Sequence, residues 1–402
     1  MYDLAALGAW AEFAVRWLHV ITAIAWIGSS FYFIALDLGL HRDRNLSSGA
    51  DGEEWQVHGG GFYHIQKYLV APPGMPDGLI WHKWQSYWTW LSGFALLVLV
   101  YYLGAEFYLI DPNVMDLTTW QAVGISLASL AFGWIVYTQL CRIFVDADQT
   151  ILMVALFAVL VGMAWFYTQV FSGRAALLHL GAFTATLMSG NVFFVIIPNQ
   201  KIVVADLMAS RTPDAKYGKI AKQRSTHNNY LTLPVIFLML SNHYPLAFAS
   251  DWNWVIASLV FLMGVTIRHW FNTHHARKGN PHWTWGVTAL LFIAIVWLST
   301  APMAQREAAI VTRFAQADGF ETVHEIVQGR CSMCHAVEPA WSGLLWAPKG
   351  VVLETPADLS RNARAVYLQS GISHAMPPAN LSYMQDDERA AIVAWYRAAT
   401  GG

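Results

Sequence analysis

Two cysteines and a histidine crowd into five positions near the C-terminus: Cys331 and Cys334 flank Ser332-Met333, and His335 follows at once. This is a C-x-x-C-H run, the attachment site of a c-type haem. The two thiols reach the vinyl groups of a porphyrin, and the adjacent imidazole reaches its iron. A sixth ligand is then needed. Met376, in Ser373-His-Ala-Met-Pro-Pro378, lies 41 residues after His335, a usual distance in small cytochromes c. Thioether ligation raises the reduction potential and so suits an electron acceptor. His374 is the near competitor for that place. A redox dithiol or half a zinc site would also use C-x-x-C, but the chain offers no second half-site and no thioredoxin-like context.

The elements that must carry this chemistry are strongly apolar. Of 402 residues, 56% are hydrophobic and 12% charged, and the mean hydropathy is +0.37. Apolar runs at 12–38, 86–104, 119–140, 151–171, 174–197, 229–248, 252–271 and 283–301 predict eight helices able to span a bilayer. Ser172-Gly173-Arg174 leaves room only for a tight turn between the fourth and fifth. The first run is too long for a cleaved signal and lacks a small-residue cleavage site, so it is expected to stay as a helix. A net charge of −2 argues against nucleic acid as a partner. Cys141, the one cysteine outside the motif, reads as a structural thiol.

After Pro302 the composition turns soluble. The expected fold class is all-α: an eight-helix transmembrane bundle over 1–302, followed by a small class I cytochrome c domain over 303–402. Within that domain, Met303–Gln328 reads as a connecting helix and the helix preceding the haem motif. A final helix is expected over 387–399, with Asp386-Asp387-Glu388 at its N-terminus, where acids suit the helix dipole.

Charge sets the orientation. With the N-terminus outside, the inner loops are 39–85, 141–150, 198–228 and 272–282. The 198–228 loop alone holds Lys201, Arg211, Lys216, Lys219, Lys222 and Arg224, whereas the outer loops 105–118 and 249–251 hold no Lys or Arg. Positive residues then lie inside. Eight crossings return the C-terminal tail to the outside, the compartment where bacteria attach c-type haem. The expected location is a bacterial inner membrane, multi-pass, with the N-terminus and the cytochrome domain periplasmic and the lipid bilayer as a partner.

Polar groups at membrane depth are costly and so carry functional weight. His19 lies about eight residues into the first helix, roughly 12 Å below the outer surface at 1.5 Å per residue. Ala23, Trp26, Ser30 and Phe33 share its face, a small residue and aromatics beside which a flat macrocycle could pack. His179 lies at a similar depth in the fifth helix. Two readings stand: these histidines hold a second, b-type haem, or they make interhelical hydrogen bonds. An inner polar group gathers His227-Asn228-Asn229, Arg268-His269, Asn191 and Asn199-Gln200-Lys201, with His64 and His82 in the first inner loop. Amides, imidazoles and Arg suit a flat, polar, weakly acidic ligand, or a haem with its propionates. Snorkelling cations and interfacial Trp produce similar patterns without function. Gly59-Gly60-Gly61 is expected to be a flexible joint, since no P-loop Lys-Ser/Thr follows it. His243, at the outer end of the sixth helix, is a candidate for haem ligation or for a docking surface.

Several stretches carry a family likeness: Arg16-Trp-Leu-His19 with Ala25-Trp-Ile-Gly-Ser-Ser-Phe-Tyr32, Gly59–Tyr68, Gly190-Asn-Val-Phe-Phe-Val-Ile-Ile-Pro-Asn-Gln200, Arg224-Ser-Thr-His-Asn-Asn-Tyr230, and Met239-Leu-Ser-Asn-His-Tyr-Pro245. Together with the haem motif they resemble the membrane-bound urate oxidases with a fused cytochrome c, the PuuD family, over nearly the full chain. The first helix also weakly resembles that of the HemJ-type protoporphyrinogen oxidases, in which the histidine matching His19 is a b-haem ligand. The urate oxidase resemblance implies oxidation of urate to 5-hydroxyisourate without hydrogen peroxide. Electrons would leave through haem to a soluble cytochrome c or a terminal oxidase. On that reading His227 or His64 takes a proton, and Asn228, Asn229 and Arg268 fix the heterocycle. Cys331, Cys334, His335 and Met376 hold one haem c, and His19, His179 and His243 are the candidates for a haem b. Two rivals remain: a quinol-oxidising or other respiratory-chain cytochrome c component, and a non-enzymatic membrane-anchored electron shuttle.

Overall fold

A computed structural model describes residues 4–68, 76, 78–145, 148–209, 211–300 and 306–401. The chain forms two compact units, Met1–Thr300 and Ala301–Gly402.

The first unit is built on eight long helices. Helix α1 spans Leu4–Gly39. Helix α2 runs Trp84–Leu96 and continues through wider π-helical turns, Leu97–Tyr102. Helix α3, Thr119–Ile143, starts on a capping box in which Thr118 and Gln121 satisfy each other's backbone N–H groups. Helix α4, Gln149–Val170, is capped by Asp148. Ser172 makes the tight turn into α5, accepting from the Ala175 N–H and donating to the Tyr108 carbonyl at 2.7 Å. Helix α5 spans Gly173–Gly190 and continues as Asn191–Ile196 and Ile197–Met208. Helices α6 (Ala215–Ser241), α7 (Asn253–His275) and α8 (Trp283–Thr300) complete the set. Among the described residues, six helices are long and apolar enough to cross a membrane: α1, α3, α4, α5 with its continuation, α7 and α8. Their core joins Leu97, Tyr101, Tyr137, Leu156, Tyr167, Phe171, Phe183 and Phe261. Large side chains such as Trp10, Phe13, Trp17 and Ile24 of α1 stay exposed, as expected of surface facing lipid.

Two expectations need correction. The inner loop expected at 198–228 is mostly helix. The fifth helix extends to Met208, and the sixth begins at Ala215 rather than 229 and ends at Ser241 rather than 248. Lys, Arg, Gln and Ala are good helix formers, so a polar segment can continue a helix beyond its apolar part. Pro245 then forces the chain out of helix in the residues before it. The first inner loop also adds strand to an otherwise helical unit. Strands β1 (Ala50–His58) and β2 (Gly61–Tyr68) pair antiparallel as a hairpin. Gly59 and Gly60 are its turn, at φ +57° and +80°. A two-residue hairpin loop needs positive φ at both positions, so the glycines form a set turn and not a loose joint. Trp55 pairs with His64 and Val57 with Phe62 across the strands, an alternation hidden by the surrounding polar residues.

In the second unit, α9 (Arg306–Ala315), α10 (Phe320–Arg330) and α11 (Asp386–Thr400) are the longest helices. They enclose Phe314, Phe320, Val327, Leu359, Ile392 and Trp395, and the Trp395 indole donates to the Phe314 carbonyl at 3.0 Å. The final helix falls where the acidic start at Asp386–Glu388 placed it.

Candidate functional site

Helix α6 carries two polar networks on nearly opposite faces, because residues two apart are turned by about 200°. The first joins His227 and Asn228 to residues of α3 and α5. Arg224 donates to Asn191 Oδ1 at 3.2 Å. Asn191 Nδ2 donates to the Tyr137 hydroxyl and to Asn228 Oδ1, each at 2.9 Å. Asn228 in turn donates to the Met188 carbonyl at 3.0 Å. An obligate donor at one end and an obligate acceptor at the other fix both amides. Tyr137 therefore accepts from Asn191 and has its own proton to give. His227 Nδ1 lies 2.8 Å from that hydroxyl and takes it, because an imidazole nitrogen is a better acceptor than the nearby Cys141 thiol. A neutral His227 then carries its proton on Nε2, which is buried and has no partner among the described residues.

The second network joins Asn229 to α7. Asn229 Oδ1 accepts from Arg268 Nε at 3.3 Å and from Asn272 Nδ2 at 3.0 Å, and Arg268 Nη2 donates to Asn272 Oδ1 at 3.0 Å. Asn229 Nδ2 is left buried without a partner among the described residues. The Arg268 guanidinium lies 4.1 Å from the centre of the Phe31 ring of α1. Arg268 is only 5% exposed and Arg224 only 4%, yet neither has a carboxylate partner among the described residues. A buried cation without a counter-charge is expensive, so both are candidates to pair with an anionic ligand.

His64 stands apart, on β2. Its Nε2–H donates to Glu53 Oε2 at 2.7 Å, and its ring stacks on Trp55 with centroids 4.3 Å apart. The His64 bond holds the Glu53 carboxyl below its usual range although burial pushes the other way. The hairpin is tied to α1 and α6 through Asp37, which pairs with Lys67 and, at 3.3 Å, with Lys222.

The histidines considered for a b-type haem differ sharply. His19 donates from Nδ1 to the Thr89 carbonyl at 3.0 Å, with the Ser92 hydroxyl at 3.2 Å. Its Nε2 has no hydrogen bond among the described residues, the arrangement a metal-ligating histidine adopts. Gly93 makes room: a Cβ there would lie 2.8 Å from His19 Cε1. His179 is fully buried. It donates from Nδ1 to the Ala175 carbonyl at 2.8 Å and accepts at Nε2 from Ser126 at 2.9 Å. With both nitrogens engaged, it makes the interhelical hydrogen bond of the second reading, to Ser126 of α3. His243 is exposed in the turn after α6.

In the second unit the donor set fits a haem c. His335 donates from Nδ1 to the Val351 carbonyl at 2.7 Å, which leaves Nε2 for a metal. Met376 is half-buried, whereas His374 is exposed. Arg389, buried and unremarked in the sequence, donates to the carbonyls of Ser370 at 2.6 Å and Met376 at 3.0 Å, and to Asn380 Oδ1 at 3.2 Å. Burial pushes the Cys331 thiol up to about 12, the reverse of what a redox dithiol needs.

The structure thus joins Asn229 with Arg268, and His227 with Asn228, and leaves His64 on its own element. Tyr137, Asn272 and Phe31 complete the networks and were not anticipated. A buried tyrosine amid apolar residues, and an aromatic on α1, carry no local signal of a partner on another helix. Comparison with protein families matches residues 5–299 to a model described as urate oxidase N-terminal. Comparisons with curated proteins and with solved structures return no match.

Proposed function

We propose that this chain, which belongs to the urate oxidase N-terminal family, oxidises urate to 5-hydroxyisourate in the membrane, at the Arg268–Asn229 network. Family membership supports the substrate. The buried, unpaired Arg268 guanidinium is the observation that supports the place. Urate is an anion at neutral pH, with carbonyl oxygens around a flat ring. Arg268 supplies the missing charge partner, and the free Asn229 Nδ2 donates to a carbonyl. Urate anion and one water become 5-hydroxyisourate with loss of two electrons and one proton. His64 Nδ1, with Glu53 holding the opposite nitrogen, takes that proton. Phe31 is six residues before Asp37, roughly 9 Å along α1, so the helix lining the anion site also anchors the hairpin. Cys331, Cys334, His335 and Met376 would hold haem c and His19 a b-type haem, and these groups supply one-electron acceptance when bound. The final acceptor is a soluble cytochrome c or a terminal oxidase, and no hydrogen peroxide forms.

The membrane reading follows the same charge argument. With α2 and α6 counted beside the six apolar helices, the chain crosses eight times in a bacterial inner membrane, basic loops inside and haem motif outside. The test is an anaerobic visible spectrum of oxidised, detergent-purified protein before and after urate. Urate should raise a reduced c-type band in the wild type and not in Arg268→Ala. No reduction of the wild type, but prompt reduction by a quinol, overturns the urate reading. Undiminished reduction in Arg268→Ala overturns the site.

A further inference from the structure

On the other face of α6 lies a cleft of about 770 Å³ between α4, α6 and α7. Its walls are almost wholly carbon: Met153, Leu156 and Phe157 from α4, and Phe261, Leu262 and Val265 from α7. Val154 and Leu262 at its edge are among the exposed apolar residues, so the cleft opens sideways, where lipid would be. Thr226, His227, Tyr230 and His269 bring polar groups into this lining, and of these His227 is the most deeply buried. His227 forms part of the wall and is 1% exposed, and its Nε2 is buried without a partner. Nδ1 accepts from the Tyr137 hydroxyl, so the imidazole proton lies on Nε2, which is an N–H donor rather than a free lone pair. An N–H donor does not ligate iron, so the group it awaits is an acceptor oxygen. Lys219, Lys222 and the Gln223–Gln149 pair, 3.0 Å apart, surround the polar end of the cleft.

We propose that this cleft binds an isoprenoid quinone, its ring carbonyl accepting from His227 Nε2–H and its tail leaving between α4 and α7 into the bilayer. A volume of this size holds a quinone ring and the first part of its tail. The apolar walls suit that ligand and not urate, which would strand most of its polar edge. The proposal is independent of the urate reading, which rests on Arg268 and Asn229, neither of which lines the cleft.

The test uses the full-length chain in nanodiscs, with decylubiquinone as the probe and bound quinone measured after rapid removal of the free ligand. Wild type should bind saturably at one per chain. His227→Leu, which loses the donor, should weaken binding by at least about tenfold. His227→Gln, which keeps an N–H, should stay within a few-fold of wild type. Met153→Trp, which fills the cleft and leaves His227 alone, should also abolish binding, so the proposal survives a misfolded histidine variant. Arg268→Lys should bind quinone like wild type. Unsaturable uptake, equal in wild type and Met153→Trp, would mean partition into the bilayer and overturn the site. Phospholipid that co-purifies in the cleft and resists displacement by the quinone would overturn it as well.

Discussion

Two buried arginines, one in each unit, meet the same physical problem in opposite ways. Arg389 spends its donors on Ser370, Met376 and Asn380, so its charge is dispersed over oxygens that belong to the fold. Arg268 reaches only two amide oxygens, and one of those amides has a donor to spare. The first arginine holds a loop. The second, on the proposed reading, pairs with the urate anion. Burial alone therefore does not mark function. What separates the two is whether the protein's own acceptors complete the cation's shell.

Arg268→Ala should break this comparison if it is false. Urate-dependent reduction should be lost outright, at least about a hundredfold by the cost of leaving a bound anion unpaired. Its melting midpoint should hold or rise, because removing an uncompensated buried charge relieves a penalty. If Arg268→Ala instead melts as early as an Arg389 variant, the guanidinium is structural and the anion site is wrong. Arg389→Ala should show the converse. Three hydrogen bonds from a charged donor vanish, and of the three oxygens Asn380 Oδ1 keeps a second partner, the Met384 N–H, a loss of about 3 kcal/mol. The spectroscopic band of thioether-ligated haem should weaken with it, because the Met376 carbonyl is one of those oxygens.

The same logic sorts the histidines. His179 is saturated and His19 keeps one nitrogen free, so their alanine variants should fail differently. His179→Ala should cost about 2 kcal/mol through a cavity and the loss of one of the Ser126 hydroxyl's two partners, Tyr102 being the other, with any b-type band unchanged. His19→Ala should remove that band and barely move the melting midpoint. A b-type band lost in His179→Ala but kept in His19→Ala would reverse the assignment.

Much of this was legible in the chain. The apolar runs located the long helices because lipid-length stretches need no partner to be recognised. Asn229 and Arg268 stood out because polar atoms at that depth are rare. The start of α6 was missed because Lys216–Arg224 reads as an inner loop by charge, although its residues favour helix. The hairpin was missed because two glycines look loose until paired strands give them a turn to make. Tyr137, Asn272 and Phe31 join their networks across separate helices, and nothing in their neighbours announces that. His227 was expected to accept a proton. The chain of donors from Arg224 through Asn191 and Tyr137 puts its proton on Nε2, a tautomer that the sequence alone does not fix.

The smallest effect concerns a pair that is complete at the surface. Arg330 donates to both Glu388 oxygens, at 2.9–3.0 Å, and to the Ser382 carbonyl at 2.8 Å. Burial pushes the Glu388 carboxyl up, but the Arg330 hydrogen bonds, the Gln385 N–H and the charges of Arg330 and Arg389 together hold the group below its usual range. A carboxyl depressed in the folded state stabilises fully above its unfolded value, about 4.3, and loses that contribution as pH falls through the folded value. The melting midpoint of the second unit, followed at the haem c Soret band, should therefore fall between about pH 5 and pH 3. Glu388→Gln should lower the midpoint by about 3 °C at neutral pH and flatten this part of the acid slope. An unchanged slope in Glu388→Gln would show that another carboxylate sets the acid limit. Arg330 would then be like Arg268, a cation whose nearest partner does not account for it.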